Sequence, residues 1–266
     1  LAALEILPID RPAFLDASCG NDLELREEVE ALLNIAEARP HLLSPPDIGL
    51  IPETLGHFDI LRECGRGGMG IVFEAKDNQL LRTVALKVLP QFLSREEKNL
   101  NRFKREAQTL AGLNHPNIAT LYSIQENCGF NYLAMEFVEG ATLAEILAKR
   151  SLSLSETLPI GLQVALALEA THGIGICHCD LKPANIMVSP HGKVTLLDFG
   201  IARAFEQLIG RTGFQVTHLS SLSLASGTPD YMAPEQSSGQ KVNEQTDLWA
   251  LGAILFECLT GKQFSR

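Results

Sequence analysis

The sequence predicts an α+β chain in two halves, a small sheet-rich half followed by a mainly helical one, with a cleft between them. Three observations carry this. The segments HFDILREC, IVFEAK, TVALKVL, NIATLYSI and NYLAMEF, rich in β-branched and aromatic residues, fall within residues 57–137 with a single helical pattern among them. Beyond Gly140 strand patterns thin out; ETLPIGLQVALALEATHGI and DLWALGAILFECLTG read as helices, apolar on most sides and so expected to be buried. A chain of 266 residues, 45% apolar and 20% charged, can also bury a substantial core.

Residues 1–39 are expected to form an acidic helical leader. NDLELREEVEALLNIAE places Leu25, Val29, Leu32, Leu33 and Ala36 on one stripe, with acidic residues in the first turn where the helix dipole favours them. Pro40, Pro45, Pro46 and Pro52 make residues 40–56 a linker, which puts the folded body over 57–266. The net charge of −10 is uneven: residues 1–56 hold eleven acidic and three basic side chains, and the rest is close to balance. Such a distribution offers no basic face for nucleic acid. No run of about 18 uncharged apolar residues occurs, and no basic flank precedes an apolar stretch at the N-terminus. Neither a membrane segment nor a signal peptide is expected within this chain, which places it in the cytoplasm or as the cytoplasmic portion of a longer protein. Six irregularly spaced cysteines read as reduced thiols. Cys177, His178 and Cys179 lack a second pair at ligand spacing, so no metal site is expected from them. Oligomeric state is not written in any of these features.

In the sheet-rich half, CGRGGMG carries Gly65, Gly67 and Gly70 at G-x-G-x-x-G spacing. Glycines allow backbone to approach a phosphate closely, and equally they make turns. A dinucleotide fold would need a helix after the last glycine. IVFEA is instead a strand pattern, so the glycines are expected on a strand-turn-strand flap; no G-K-[ST] tripeptide occurs. Lys87 closes VALK, and a lysine within a buried strand is costly unless paired. Ser94 and Glu97 form a capping-box pattern that opens a helix with Leu100, Phe103, Ala107 and Leu110 on one face. Glu106 on that helix is the candidate partner for Lys87.

Four more polar motifs follow in order: HCDLKPAN with Asp180, Lys182 and Asn185; DFG with Asp198, Phe199 and Gly200; GTPDYMAPE with Thr228 and Glu235; and TDLWALG with Asp247. With the glycine flap they span residues 58–266 and resemble the protein kinase family. DFGIARA, GTPDYMAPEQ and the Lys-Pro-x-Asn form are similar to bacterial serine/threonine kinases of the eukaryotic-like type, and the leader resembles a region that precedes the kinase domain in some of them. The resemblance implies the bilobal protein-kinase fold, an antiparallel sheet with one helix over a helical lobe, and implies ATP and magnesium (Mg2+) as cofactors. By the same resemblance Lys87, held by Glu106, meets the first phosphates, and Asp180 takes or orients the proton of a protein serine or threonine. Lys182 neutralises charge on the moving phosphoryl group, and Asn185 and Asp198 hold magnesium. Adenine would lie between Val72 and Ala85 above and Met187 below, with Met135 guarding the back pocket and backbone at Glu136 and Val138 bonding the base. Asp247 would brace the catalytic-loop backbone.

Two departures stand out. Cys179 occupies the place of the family's arginine, which pairs with a phosphate on the activation segment, and a thiol cannot form that bidentate pair. Activity is therefore expected to depend little on phosphorylation of residues 201–226, although Thr217, Ser220, Ser221 and Ser223 are available. The pattern also stops at Arg266, after the central helix, where the family continues with further helices; the chain is read as part of a longer protein. The apolar face of DLWALGAILFECL is expected to be exposed and Glu235 unpaired. A catalytically weak or inactive pseudokinase acting as a signalling module is the alternative reading, and a small-molecule kinase is a further one that the Thr228 docking motif disfavours.

Overall fold

The computed structural model describes residues 14, 15, 18, 26, 29, 51–67, 70–89, 108–198, 229–238, 240 and 242–264. The chain divides into two compact units, Leu1–Asp47 and Ile48–Arg266. In the first unit the five described residues are all helical, Arg26 and Val29 of the expected leader helix among them.

The second unit begins with a six-stranded antiparallel sheet. Its strands are β1 (Thr54–Leu55), β2 (Phe58–Gly67), β3 (Gly70–Asp77), β4 (Arg82–Val88), β5 (Leu121–Asn127) and β6 (Phe130–Glu136), ordered β1-β2-β3-β4-β6-β5. β1 lies in residues that the proline pattern assigns to the linker. Pro52 precedes it, and Thr54 and Leu55 pair with Asp59 and Phe58. Alternation along β3, β4 and β6 separates two faces. Ile71, Phe73, Ala75, Val84, Leu86, Val88, Tyr132 and Ala134 join Leu55 and Phe58 in one apolar cluster. The register sets Val72 opposite Lys87, Lys87 opposite Leu133, and Ala85 opposite Met135, so these residues share the other face.

NIATLYSI divides its allegiance. The strand starts at Leu121, and the residues before it bond to the helical half: the Asn117 side-chain amide donates to the Val194 carbonyl at 2.7 Å, and Ile118 makes a parallel bridge to Leu196. Of the helix expected from Ser94, residues 108–111 are described and helical, whereas 90–107 lie outside the described residues.

The helical half carries β7 (Ala141–Thr142), α1 (Leu143–Leu147), α2 (Leu154–His172), β8 (Ile186–Val188), β9 (Val194–Leu196), α3 (Pro234–Ser237) and α4 (Glu244–Thr260). β7, β8 and β9 form a second small sheet. Thr142 starts α1 with a capping box, its hydroxyl accepting the Glu145 N–H at 3.1 Å while Glu145 accepts the Thr142 N–H at 2.8 Å. Ile160, Val164, Ala167 and Leu168 of α2 pack with Ala250 and Ile254 of α4 and with Ile186, Val194 and Leu196 beneath the second sheet. Gly161 permits this approach, since a Cβ there would stand 2.9 Å from Leu255 Cδ2.

The expectation that a helix apolar on most sides is buried is corrected for α2. Leu154, Leu158, Leu162 and Leu166, spaced by four, form a stripe that is 42–63% exposed, opposite the packed face. Apolar content on every side does not reveal which sides a neighbour covers. On α4, Leu248, Phe256 and Leu259 are exposed, as the sequence suggests. Among the described residues no helix is long and apolar enough to cross a membrane.

Candidate active site

The two halves meet at a pair of opposite charges. Lys87 is 3% exposed on the non-core face of β4, and its Nζ lies 2.8 Å from Asp198 Oδ1, just beyond β9. Burial pushes the Asp198 carboxyl up, but the Lys87 ammonium's charge and hydrogen bond, helped by His178 and Lys182, outweigh it and hold the group below the usual carboxylate range. Asp198 adopts a φ of +59°, unusual for a residue with a Cβ. Glu106 lies outside the described residues, as do Phe199, Gly200, Thr228 and the segment with Thr217, Ser220, Ser221 and Ser223.

Three side chains of the catalytic loop gather beside this pair. Asp180 Oδ2 receives Lys182 Nζ at 2.8 Å, and Asn185 Nδ2 donates to the Asp180 carbonyl at 2.8 Å and to Oδ2 at 3.3 Å. Asn185 closes the 3₁₀ turn Pro183–Asn185 and runs straight into β8, while its carbonyl accepts the Leu197 N–H at 2.9 Å. The β8–β9 pairing thus sets Asn185 close to Asp198.

The loop is fixed from below by Asp247 of α4, itself 1% exposed. Its Oδ2 accepts the His178 N–H and His172 Nε2, and its Oδ1 accepts the Cys179 N–H, each at 2.8 Å. His178 Nε2 donates to the Leu197 carbonyl at 2.9 Å and its Nδ1 accepts the Asp180 N–H at 3.3 Å, which fixes the ring tautomer. His172, Cys177 and Asp247 could in principle hold a metal ion. The Asp247 oxygens are instead spent on these three donors, and the cluster reads as a brace. Glu235, expected to be unpaired, accepts the Thr246 hydroxyl at 2.7 Å. Thr246 lies in the first turn of α4, so the motif pair Glu235 and Asp247 bonds through neighbouring residues.

On the sheet side Gly65 and Gly67 lie on β2 and Gly70 opens β3. At Gly65 and Gly67 the space a Cβ would enter is open, which leaves the strand backbone accessible. Gly70 is required by its own geometry: φ is +124°, and a Cβ would meet the Val88 carbonyl oxygen at 2.1 Å. Val72, Ala85 and Met135 share the face of Lys87, and Met187 lies on β8 in the second sheet. The Glu136 N–H donates to the Thr120 carbonyl at 2.8 Å and is therefore already committed within the sheet-rich half. Val138 follows β6, half-buried, in the connection to β7.

The donors suit magnesium and a nucleotide. Asp198 offers a carboxylate and Asn185 an amide oxygen, its nitrogen being committed to Asp180; both are hard oxygen ligands of the kind magnesium selects. A buried ammonium and a glycine strand with open backbone suit phosphates. His172, Gln236 and the Tyr231–Glu257 hydrogen bond, made beside Lys182 in a cavity of about 490 Å³, carry no local sequence signal of these contacts.

A bilobal α+β fold with these side chains at the junction is that of a kinase, and comparison with known proteins agrees. Residues 58–266 match the protein kinase domain, and the chain belongs to that family. It is 39% identical over 208 residues to serine/threonine-protein kinase PrkC of Bacillus subtilis, covering 78% of this chain and 31% of the relative. It is 36% identical over 214 residues to serine/threonine-protein kinase PknA of Mycobacterium tuberculosis, covering 78% and 48%. The chain therefore spans about a third to a half of these relatives. The crystal structure of the Mycobacterium tuberculosis PknI kinase domain is similar with a TM-score of 0.61 and 27% identity, over 80% of this chain and 79% of that one.

Proposed function

We propose that this chain is the catalytic part of a serine/threonine protein kinase, moving the γ-phosphoryl group of ATP to a serine or threonine hydroxyl of a protein substrate in the cytoplasm. The observation that carries this reading is the meeting of Lys87 and Asp198 from opposite halves beside Asp180, Lys182 and Asn185. In it the substrate oxygen bonds to the γ-phosphorus, the bond to the β-phosphate bridging oxygen breaks, ADP leaves, and the hydroxyl proton passes to the Asp180 carboxylate. Lys182, already 2.8 Å from Asp180, lies where negative charge grows. Lys87 exchanges Asp198 for phosphate oxygens, and the open strand at Gly65 and Gly67 covers them with backbone. Magnesium held by Asp198 and Asn185 would supply charge neutralisation across the phosphates.

Transfer of radiolabelled phosphate from ATP to a generic protein substrate tests the reading. Full-length protein should label it, and Asp180→Asn should lower the rate by about 10²–10⁴-fold, the usual share of a positioned acid–base group. Equal labelling by both would remove Asp180 from the proposed role, and no labelling by the full-length protein would favour a signalling module without catalysis.

A further inference from the structure

Cys179, the residue at which this chain departs from the kinase pattern, is enclosed by main-chain hydrogen bonds. It is buried, with a φ of +62°. Its N–H donates to Asp247 Oδ1 and its carbonyl accepts Gln236 Nε2, both at 2.8 Å. Gln236 is held at its other end too, since its Oε1 accepts the Ala233 N–H at 3.1 Å. One side-chain amide therefore spans from the start of α3 to the catalytic loop, one residue before Asp180.

We propose that Gln236 is a positioning residue for phosphotransfer, tying the Ala233–Ser237 segment to the catalytic loop and so setting the direction in which Asp180 presents its carboxylate. This deepens the proposed kinase activity and rests on it. The tie grips the main chain of residue 179, so it works whichever side chain stands there, and a thiol suffices where the family carries arginine. Being an amide–carbonyl bond it carries no charge, and it engages without a phosphate on the protein. It also fixes an otherwise unfavourable backbone conformation: with both the N–H and the carbonyl of Cys179 committed, the left-handed turn before Asp180 has little freedom to relax.

Two substitutions of similar length separate the donor from the acceptor. Gln236→Glu keeps an oxygen for the Ala233 N–H but sets a second oxygen against the Cys179 carbonyl; Gln236→Lys keeps a donor for that carbonyl. In full-length protein, Gln236→Glu should lower kcat by at least about tenfold while leaving the KM for ATP within about twofold, the signature of lost orientation rather than lost binding. Gln236→Lys should retain kcat within about threefold. Melting temperatures should be alike, and Gln236→Leu serves as the uncharged donor-free variant should Gln236→Glu fold poorly. Amide hydrogen exchange over residues 177–181 should accelerate in Gln236→Glu and not in Gln236→Lys, a readout that needs no turnover. If wild-type protein transfers no phosphate the kinase reading fails, and exchange still decides the tie. Equal kcat losses in the Glu and Lys variants, unchanged kcat in Gln236→Glu, or unchanged exchange would overturn the proposal.

Discussion

The two charged centres of the site are held by different means. Lys87 and Asp198 meet through a single side-chain ion pair that joins the sheet-rich half to the helical half. The catalytic loop rests on backbone hydrogen bonds, with Asp247 taking two loop N–H groups and His172, and Gln236 taking a carbonyl. An ion pair whose members both have a better ligand can open when that ligand arrives. A buried carboxylate that satisfies three donors has no such alternative, because leaving any donor unpaired is costly. The first arrangement is one to exchange; the second is a fixed floor.

Substitutions should sort along this line. Lys87→Met should lower phosphotransfer by about 10²–10³-fold, the effect of removing one preorganised charge from developing anionic oxygens, while the melting temperature falls less than in Asp247→Ala because Asp198 is partly exposed to water. Asp247→Ala should act on folding, orphaning the buried His178 and Cys179 N–H groups at about 1–3 kcal/mol each and freeing the half-buried His172 ring, read as a lower urea midpoint. If Lys87→Met unfolded the protein and Asp247→Ala did not, the division between exchangeable and fixed centres would be reversed. Gly70→Ala should be destabilising by about 1–3 kcal/mol, because the added carbon meets the Val88 carbonyl and φ is positive.

The smallest effect is one of pH. The Asp198 carboxyl sits below its ordinary value of 3.8 in the folded state, so its pairing contributes stability above that value and loses it as pH falls through the folded value. The stability difference between wild type and Asp198→Asn, followed by denaturant unfolding, should be constant near neutral pH and shrink only in acid below about pH 4. A difference that instead shrank between about pH 6 and 8 would point to another group.

Much of this site was legible because it is written in residue identity at short spacing. Asp180, Lys182 and Asn185 lie within six residues, and turn chemistry does not account for all three. Lys87 drew notice as a charge in an otherwise apolar strand, and alternation in β3, β4 and β6 gave the faces. Features that depend on distant pairing were hidden. The Gln236–Cys179 bond spans 57 residues and the His172–Asp247 bond 75, and no local pattern marks Gln236 or His172 as the partner. The same reason explains the exposed leucine stripe of α2 and the crossing of Asn117 and Ile118 to the second sheet: sequence periodicity reports which side chains share a face, not what lies opposite.

The central claim is that Asp198 leaves Lys87 for a divalent cation while Asp247 keeps its partners. Calorimetric titration of ATP, with and without magnesium, into wild type, Asp198→Asn and Asp247→Asn tests it most directly. Magnesium should tighten ATP binding by about tenfold or more in wild type and in folded Asp247→Asn, and by less than about twofold in Asp198→Asn. Full magnesium enhancement in Asp198→Asn would contradict the account.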